Sequence, residues 1–211
     1  MKLNTAFTGT LVSAALATLA LSACGSSAGD QLDRDRVQAE MAGRWASPCD
    51  DAGLVWGAAG INSQRIIYNF YDDVGRSTEL FSDDSCQTAV GEATYKGTSN
   101  VGSKNADGNN ILDLNYLTVE VRIFDQGTVD LLNNPATPGC GINDWKVNEP
   151  RDVTSASGSV TCPIAKPAQV FDIVKTDGQS LQFGLVKDGL DKSTQDKRPK
   201  EIDTSFTYTK Q

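Results

Sequence analysis

The chain has 211 residues, 27 acidic and 19 basic side chains, no histidine and a formal charge of −8 at pH 7. So acidic a composition offers no basic patch to neutralise phosphates, which excludes nucleic acid as a partner. Without histidine there is no Ser-His-Asp or Cys-His catalytic arrangement and no imidazole switch near neutral pH.

The chain opens with a positive Lys2 and an Ala/Leu-rich apolar run from Thr5 to Leu21, followed by small Ser22 and Ala23, the pattern of a cleaved export signal. The run carries Thr8, Thr10, Ser13 and Thr18, and is marginal against the ~20 apolar residues a membrane span needs. Leu21-Ser22-Ala23-Cys24 resembles the lipobox of bacterial lipoproteins. The resemblance implies that residues 1–23 are a signal peptide removed before Cys24, that Cys24 is the lipidation site, and that acyl chains such as palmitate tether the protein to a membrane. Residues 24–31, with Gly25-Ser26-Ser27-Ala28-Gly29, read as a flexible tether, leaving 32–211 as the folded domain. In that family an Asp after the lipid-bearing cysteine favours inner-membrane retention. Gly25 is not that signal, so the expected location is the cell envelope, at the periplasmic face of the outer membrane in a Gram-negative cell and at the plasma membrane in a Gram-positive one.

A short helix is predicted over Asp33 to Met41, with Val37 and Met41 apolar and Gly43 as its stop. Beyond it the pattern turns to β. Ser63 to Tyr71 places Ile66, Tyr68 and Phe70 on one strand face, Asp72-Asp73-Val74-Gly75 supplies a turn, and Arg76 to Ser82 returns. Asp83-Asp84-Ser85 is another turn, and Glu92 to Lys96 a further strand. Gly97-Thr98-Ser99-Asn100 and the asparagines after it read as a polar hairpin loop. Ile111 to Phe124 is the strongest strand signal. Leu112, Leu114 and Tyr116 share one parity and Leu117, Val119, Val121 and Ile123 the other, which predicts a bulge or bend between Tyr116 and Leu117. Thr128 to Leu132 continues the series. Val170 to Lys175 and Ser180 to Leu185 form a hairpin about Asp177-Gly178, and Ile202, Thr204, Phe206 and Tyr208 alternate at the C-terminus. Short strands punctuated by turns, with no helices between them, predict an all-β fold: an antiparallel meander barrel of about eight to ten strands behind a short N-terminal helix.

Apart from Cys24, the cysteines are Cys49, Cys86, Cys140 and Cys162. An even number in an exported chain reads as two disulfides with three connectivities open. The local pairing Cys49–Cys86 and Cys140–Cys162 is the one expected, because neighbouring segments of a meander lie close, and the second bridge would tie down the long irregular stretch from Asn133 to Ala168. With no Cys-x₂-Cys spacing and no histidine, a zinc site is not expected.

Gly43-Arg44-Trp45 after a short helix and before a run of antiparallel strands resembles the entry to a lipocalin-type (calycin) barrel. More loosely, Cys140-Gly141-Ile142-Asn143-Asp144-Trp145 and Arg198-Pro199 resemble motifs of small bacterial lipocalin-like lipoproteins. The resemblance implies that Trp45 closes one barrel end under a basic residue from near the last strand, for which Arg198, Lys200 and Lys210 are candidates. It also implies that the loop around Leu54-Val55-Trp56 lids the open end. Trp56, Tyr68, Phe70 and Tyr95 are the candidate ligand-binding residues.

Nothing amounts to a catalytic signature. The carboxylate pairs Asp50/Asp51, Asp72/Asp73 and Asp83/Asp84 lie in turn-like text where Asp satisfies backbone groups. Ser103 to Asn109 imitates part of a calcium loop, but its twelfth position is Leu114, where a bidentate Glu is needed. No cofactor and no enzymatic activity are expected. The expected function is that of a lipid-anchored envelope protein whose barrel binds a small apolar ligand or lipid. The alternative is a module whose barrel loops bind another envelope protein or inhibit a hydrolase.

Overall fold

In the computed structural model, residues 28–52, 60–71 and 73–211 are described; the lipobox, Cys24, Trp56 and Asp72 lie outside them. The first element is a helix, α1 (Ala28–Met41), and a second, α2 (Gln126–Leu132), follows the long strands. The strands are β1 (Gly43–Ala46), β2 (Asp50–Asp51), β3 (Ser63–Phe70), β4 (Val74–Phe81), β5 (Ala89–Lys104), β6 (Asn110–Ile123), β7 (Arg151–Asp152), β8 (Gln169–Thr176), β9 (Ser180–Phe183) and β10 (Tyr208–Lys210). No helix among the described residues is long and apolar enough to cross a membrane.

The strands form a closed, antiparallel, eight-stranded barrel. The wall runs β1-β10-β9-β8-β6-β5-β4-β3 and returns to β1, while β2 pairs with β3 and β7 with β6 outside the ring. Closure depends on β1. Trp45 lies opposite Lys210 of β10 on one side and Tyr68 of β3 on the other; Trp45 and Ala46 pair with both neighbours, Gly43 and Arg44 with β3 alone. A sheet closed in this way has no unpaired edge.

One end of the barrel is plugged around Trp45, which is fully buried. Its indole N–H donates to the Met41 carbonyl at 2.6 Å, taking up a carbonyl that the end of α1 leaves free. Val37 and Met41 are the buried residues of α1, and the rest of the helix is held by ion pairs: Arg36 with Glu40 and Asp33, and Asp33 with Lys104 of β5. The Lys210 ammonium stands 5.1 Å from the indole centroid, so Lys210, not Arg198 or Lys200, is the cation over Trp45. Gly43 has φ +131°, and a Cβ there would stand 2.8 Å from Lys210 Cε, so glycine meets both the backbone and the space requirement.

The parity slip in β6 is a bulge. Lys96 pairs with Thr118 and Gly97 with Tyr116, which leaves Leu117 as the extra, exposed residue. The strands approach so closely here that a Cβ on Gly97 would lie 1.9 Å from the Asn115 carbonyl oxygen. Both disulfides are the local pair, Cys49–Cys86 and Cys140–Cys162.

Several elements differ from expectation. Helix α1 begins at Ala28, inside the stretch read as tether. The polar run after Gly97 is not a loop: β5 continues to Lys104, and the turn is confined to Asn105–Asn109, where the Asn105 side-chain carbonyl accepts from the N–H groups of Asp107 and Asn109. Thr128 to Leu132 is helical, because Asp125 caps α2 by accepting from Thr128 N–H at 2.8 Å. The C-terminal alternation is strand only over Tyr208–Lys210. Asp203 captures the N–H and hydroxyl of Ser205, and this local turn competes with the ladder.

Asp83 collects the Ser85 hydroxyl and the N–H groups of Ser85, Gln87 and Thr88, and these donors hold its carboxyl far below the usual range. A depressed pKa contributes stability above the ordinary value near 3.8 and loses it as pH falls toward the folded value. Asp83→Asn is therefore expected to be less stable than the parent at neutral pH, with the gap closing below about pH 4, as read by urea unfolding across pH. Trp45→Ala is expected to cost about 3–5 kcal/mol in the same assay, since it removes both a large buried ring and a hydrogen bond at the closure.

Candidate functional site

Inside the barrel, above the Trp45 plug, aromatic and charged side chains join the aliphatic ones at the inward positions. Tyr68, Arg76 and Tyr95 are directly paired across β3, β4 and β5, and so lie side by side on one face. Tyr116 comes from β6 just before the bulge, Asp172 is the inward carboxylate of β8, and Tyr208 closes the circle from β10. The rings pack as a lattice of two groups. Tyr68 lies 5.6 Å from Phe70, 4.8 Å from Phe183 and 5.3 Å from Tyr208, and Tyr95 meets Tyr116 edge to face at 5.7 Å.

Two clefts of about 230 and 240 Å³ open into this lattice, and Tyr68, Asp172 and Lys192 line both. The first runs among Arg76, Tyr95, Leu114 and Tyr116 to Lys166; the second runs among Phe183, Asp203, Phe206 and Tyr208. Each is smaller than the ~300–1,000 Å³ usual for a drug-sized ligand. A third cleft, of about 230 Å³ and almost wholly apolar, lies where Leu80, Val121 and Ile123 meet Leu132, Trp145 and Ile164 of the segment folded over that rim. The Cys140–Cys162 bridge holds that segment together, and Trp145 is buried in it.

Asp172 is the best-satisfied charge in the interior. One carboxylate oxygen accepts from Ile173 N–H at 2.8 Å and Gly184 N–H at 3.0 Å, and the other pairs with the Lys192 ammonium at 2.7 Å. Burial pushes its carboxyl above the usual range, with Lys192 and the two N–H groups pulling the other way. The loop carrying Lys192 is anchored by Arg198, which donates to the carbonyls of Leu112 and Asp172, pairs with Asp113 at 2.6 Å and stacks over Phe171. Pro199 is buried against Gly184, where a Cβ would meet it at 2.4 Å.

Arg76 is different. It lies 5.7 Å from the Tyr95 ring centroid and makes no salt bridge among the described residues. Burial works against its charge, with the surrounding tyrosines pulling the other way, and a guanidinium stays protonated in proteins. The same burial raises the phenols of Tyr68, Tyr95, Tyr116 and Tyr208, keeping them neutral. The Tyr95 hydroxyl donates to the Ala165 carbonyl at 2.9 Å, but the buried Tyr116 hydroxyl, beside the Tyr68 phenol, makes no hydrogen bond of ordinary geometry among the described residues.

Of the residues singled out from sequence, Tyr68 and Tyr95 line the clefts. Phe70 is buried beneath, stacked on Tyr68, and lines neither of the two polar clefts. Trp56 lies outside the described residues. Arg76, Tyr116, Asp172, Lys192 and Tyr208 were not singled out. A signal existed for Asp172, a lone carboxylate within Val170-Phe171-Asp172-Ile173-Val174, and for Arg76, which shares parity with Val74 and Leu80. Among the described residues no group of three or more His, Cys, Asp or Glu could hold a metal ion. Neither known protein-family models nor curated proteins match this sequence.

Removing one partner of a buried ion pair strands the other, so Asp172→Ala is expected to cost about 3–5 kcal/mol by urea unfolding. Asp172→Asn, which can still accept from Ile173 and Gly184, is expected to cost clearly less.

Proposed function

We propose that this chain is a lipid-anchored cell-envelope protein whose barrel binds a small amphiphilic ligand, with no catalytic role. One observation carries the reading: two clefts converge inside a closed barrel on Tyr68, Asp172 and Lys192, with phenol rings for an apolar body and charged groups for a polar end. A barrel of eight strands is wide enough either to be filled by side chains or to hold one small ligand, and the clefts favour the second. The polar lining narrows the expected apolar ligand or lipid to one with a polar group. Anchoring rests on the lipobox resemblance of Leu21-Ser22-Ala23-Cys24, with Cys24 as the acylated residue.

Native mass spectrometry of protein purified from envelope fractions is expected to show a bound small molecule, reduced in Tyr68→Ala. A stoichiometric protein partner in its place would favour the interaction or hydrolase-inhibitor role. Cys24→Ser is expected to abolish lipid labelling and release the protein from the membrane fraction; retention there would remove the anchor from the proposal.

A further inference from the structure

We infer that the cleft among Tyr68, Arg76 and Tyr116 receives its ligand by a carboxylate, gripped by the Arg76 guanidinium and the Tyr116 hydroxyl. The inference rests on the ligand-binding reading above and specifies the chemical class of that ligand.

Three observations converge on it. First, the cleft concentrates positive charge in an acidic chain: Arg76, Lys166 and Lys192 line it, against the single carboxylate of Asp172. Second, that carboxylate is already engaged by Lys192, Ile173 N–H and Gly184 N–H, so Arg76 and Lys166 have no carboxylate partner among the described residues. Among the described residues no carboxylate makes an ion pair with Arg76, whose guanidinium lies 5.7 Å from the Tyr95 ring centroid. An inward cation left open in this way costs free energy unless an anion arrives to pair with it. Third, the Tyr116 hydroxyl is buried at the same cleft, with only the neighbouring Tyr68 phenol near it and no hydrogen bond of ordinary geometry. A buried donor left unsatisfied is costly in the empty protein and becomes useful only when an acceptor enters.

The chemistry of the two groups selects the anion. A guanidinium presents parallel N–H donors in a planar fork that matches a carboxylate. The phenols stay protonated because burial raises their pKa values, so they supply donors and do not neutralise Arg76 themselves. The space of about 230 Å³, walled by tyrosine rings, Leu114 and Val170, suits a short chain or a single ring. Lys166, exposed at the mouth and free of a carboxylate, adds an attraction for an approaching anion.

The test compares acids with alcohols of the same body: octanoate with octan-1-ol, and 3-phenylpropanoate with 3-phenylpropan-1-ol, titrated calorimetrically into the purified chain. At least one acid is expected to bind about tenfold or more tightly than its alcohol, the worth of a charge-assisted hydrogen bond. Arg76→Met is expected to erase that ratio by weakening the acid far more than the alcohol, and Arg76→Lys, which keeps the charge but not the fork, to reduce it. Tyr116→Phe is expected to weaken the acid alone and to raise the thermal midpoint of the ligand-free protein, because it deletes an unsatisfied hydroxyl; a purely structural role would lower that midpoint. Equal binding of acid and alcohol, or a ratio that survives Arg76→Met, overturns the carboxylate assignment and leaves the ligand-binding barrel standing. If neither member of either pair binds, both readings fall.

Discussion

Closure of the barrel through the four residues of β1 is the constraint on which the rest of the structure depends. Gly43 to Ala46 pair with β3 while Trp45 and Ala46 pair with β10 as well, and Trp45 sits on that double seam with its ring inside and its N–H tied to the end of α1. Because β1 is so short, the seam relies on side-chain burial as much as on ladder hydrogen bonds. The plug of Val37, Met41 and Trp45, with the Lys210 ammonium over the indole, supplies it. Helix α1 has few apolar residues of its own and gains its stability by docking on this end, as short helices in proteins generally do.

Closure at one end leaves the other free to carry chemistry. Aliphatic and aromatic burial around the Trp45 plug provides the cohesion, so the next tier can hold polar side chains that a small core could not otherwise accommodate. Asp172 shows the cost of doing so: a buried carboxylate is kept by two backbone donors and one ammonium, and the loop that brings the ammonium is itself pinned by Arg198 and Pro199. Arg76 and Tyr116 stand beside this satisfied pair without equivalent partners. Local disagreement between a residue and its surroundings, in a fold otherwise consistent from level to level, is the usual mark of a working site.

Much of the architecture was legible in the residues. Alternation along Ser63–Phe70 and Asn110–Ile123, the parity slip at Leu117, the Asp-Gly hairpin and the even set of cysteines each report a local rule, and local rules survive into the fold. The misreadings share a cause. The second half of β5 is polar because one side faces solvent and the other meets α1, through Arg34 with Ser103 and Asp33 with Lys104, so no apolar alternation marks it as strand. Residues 128–132 satisfy both strand and helix patterns, and a single cap at Asp125 tips them to helix. Between Ile202 and Tyr208 the alternation is real, but Asp203 offers the backbone a closer partner than the ladder does.

Composition, parity and spacing therefore suffice for an all-antiparallel, disulfide-braced meander, because those features depend on neighbours a few residues apart or on adjacent strands. Which side chains meet inside the closed wall depends on something no window of sequence contains: the register of eight strands around a full turn. That register places Arg76 of β4 between Tyr68 and Tyr95 and on one cleft with Asp172 of β8, although nearly a hundred residues separate the two charges. The strands and their braces follow from near-neighbour rules. The polar chamber exists only because the cylinder closes, and closure is a property of the whole chain.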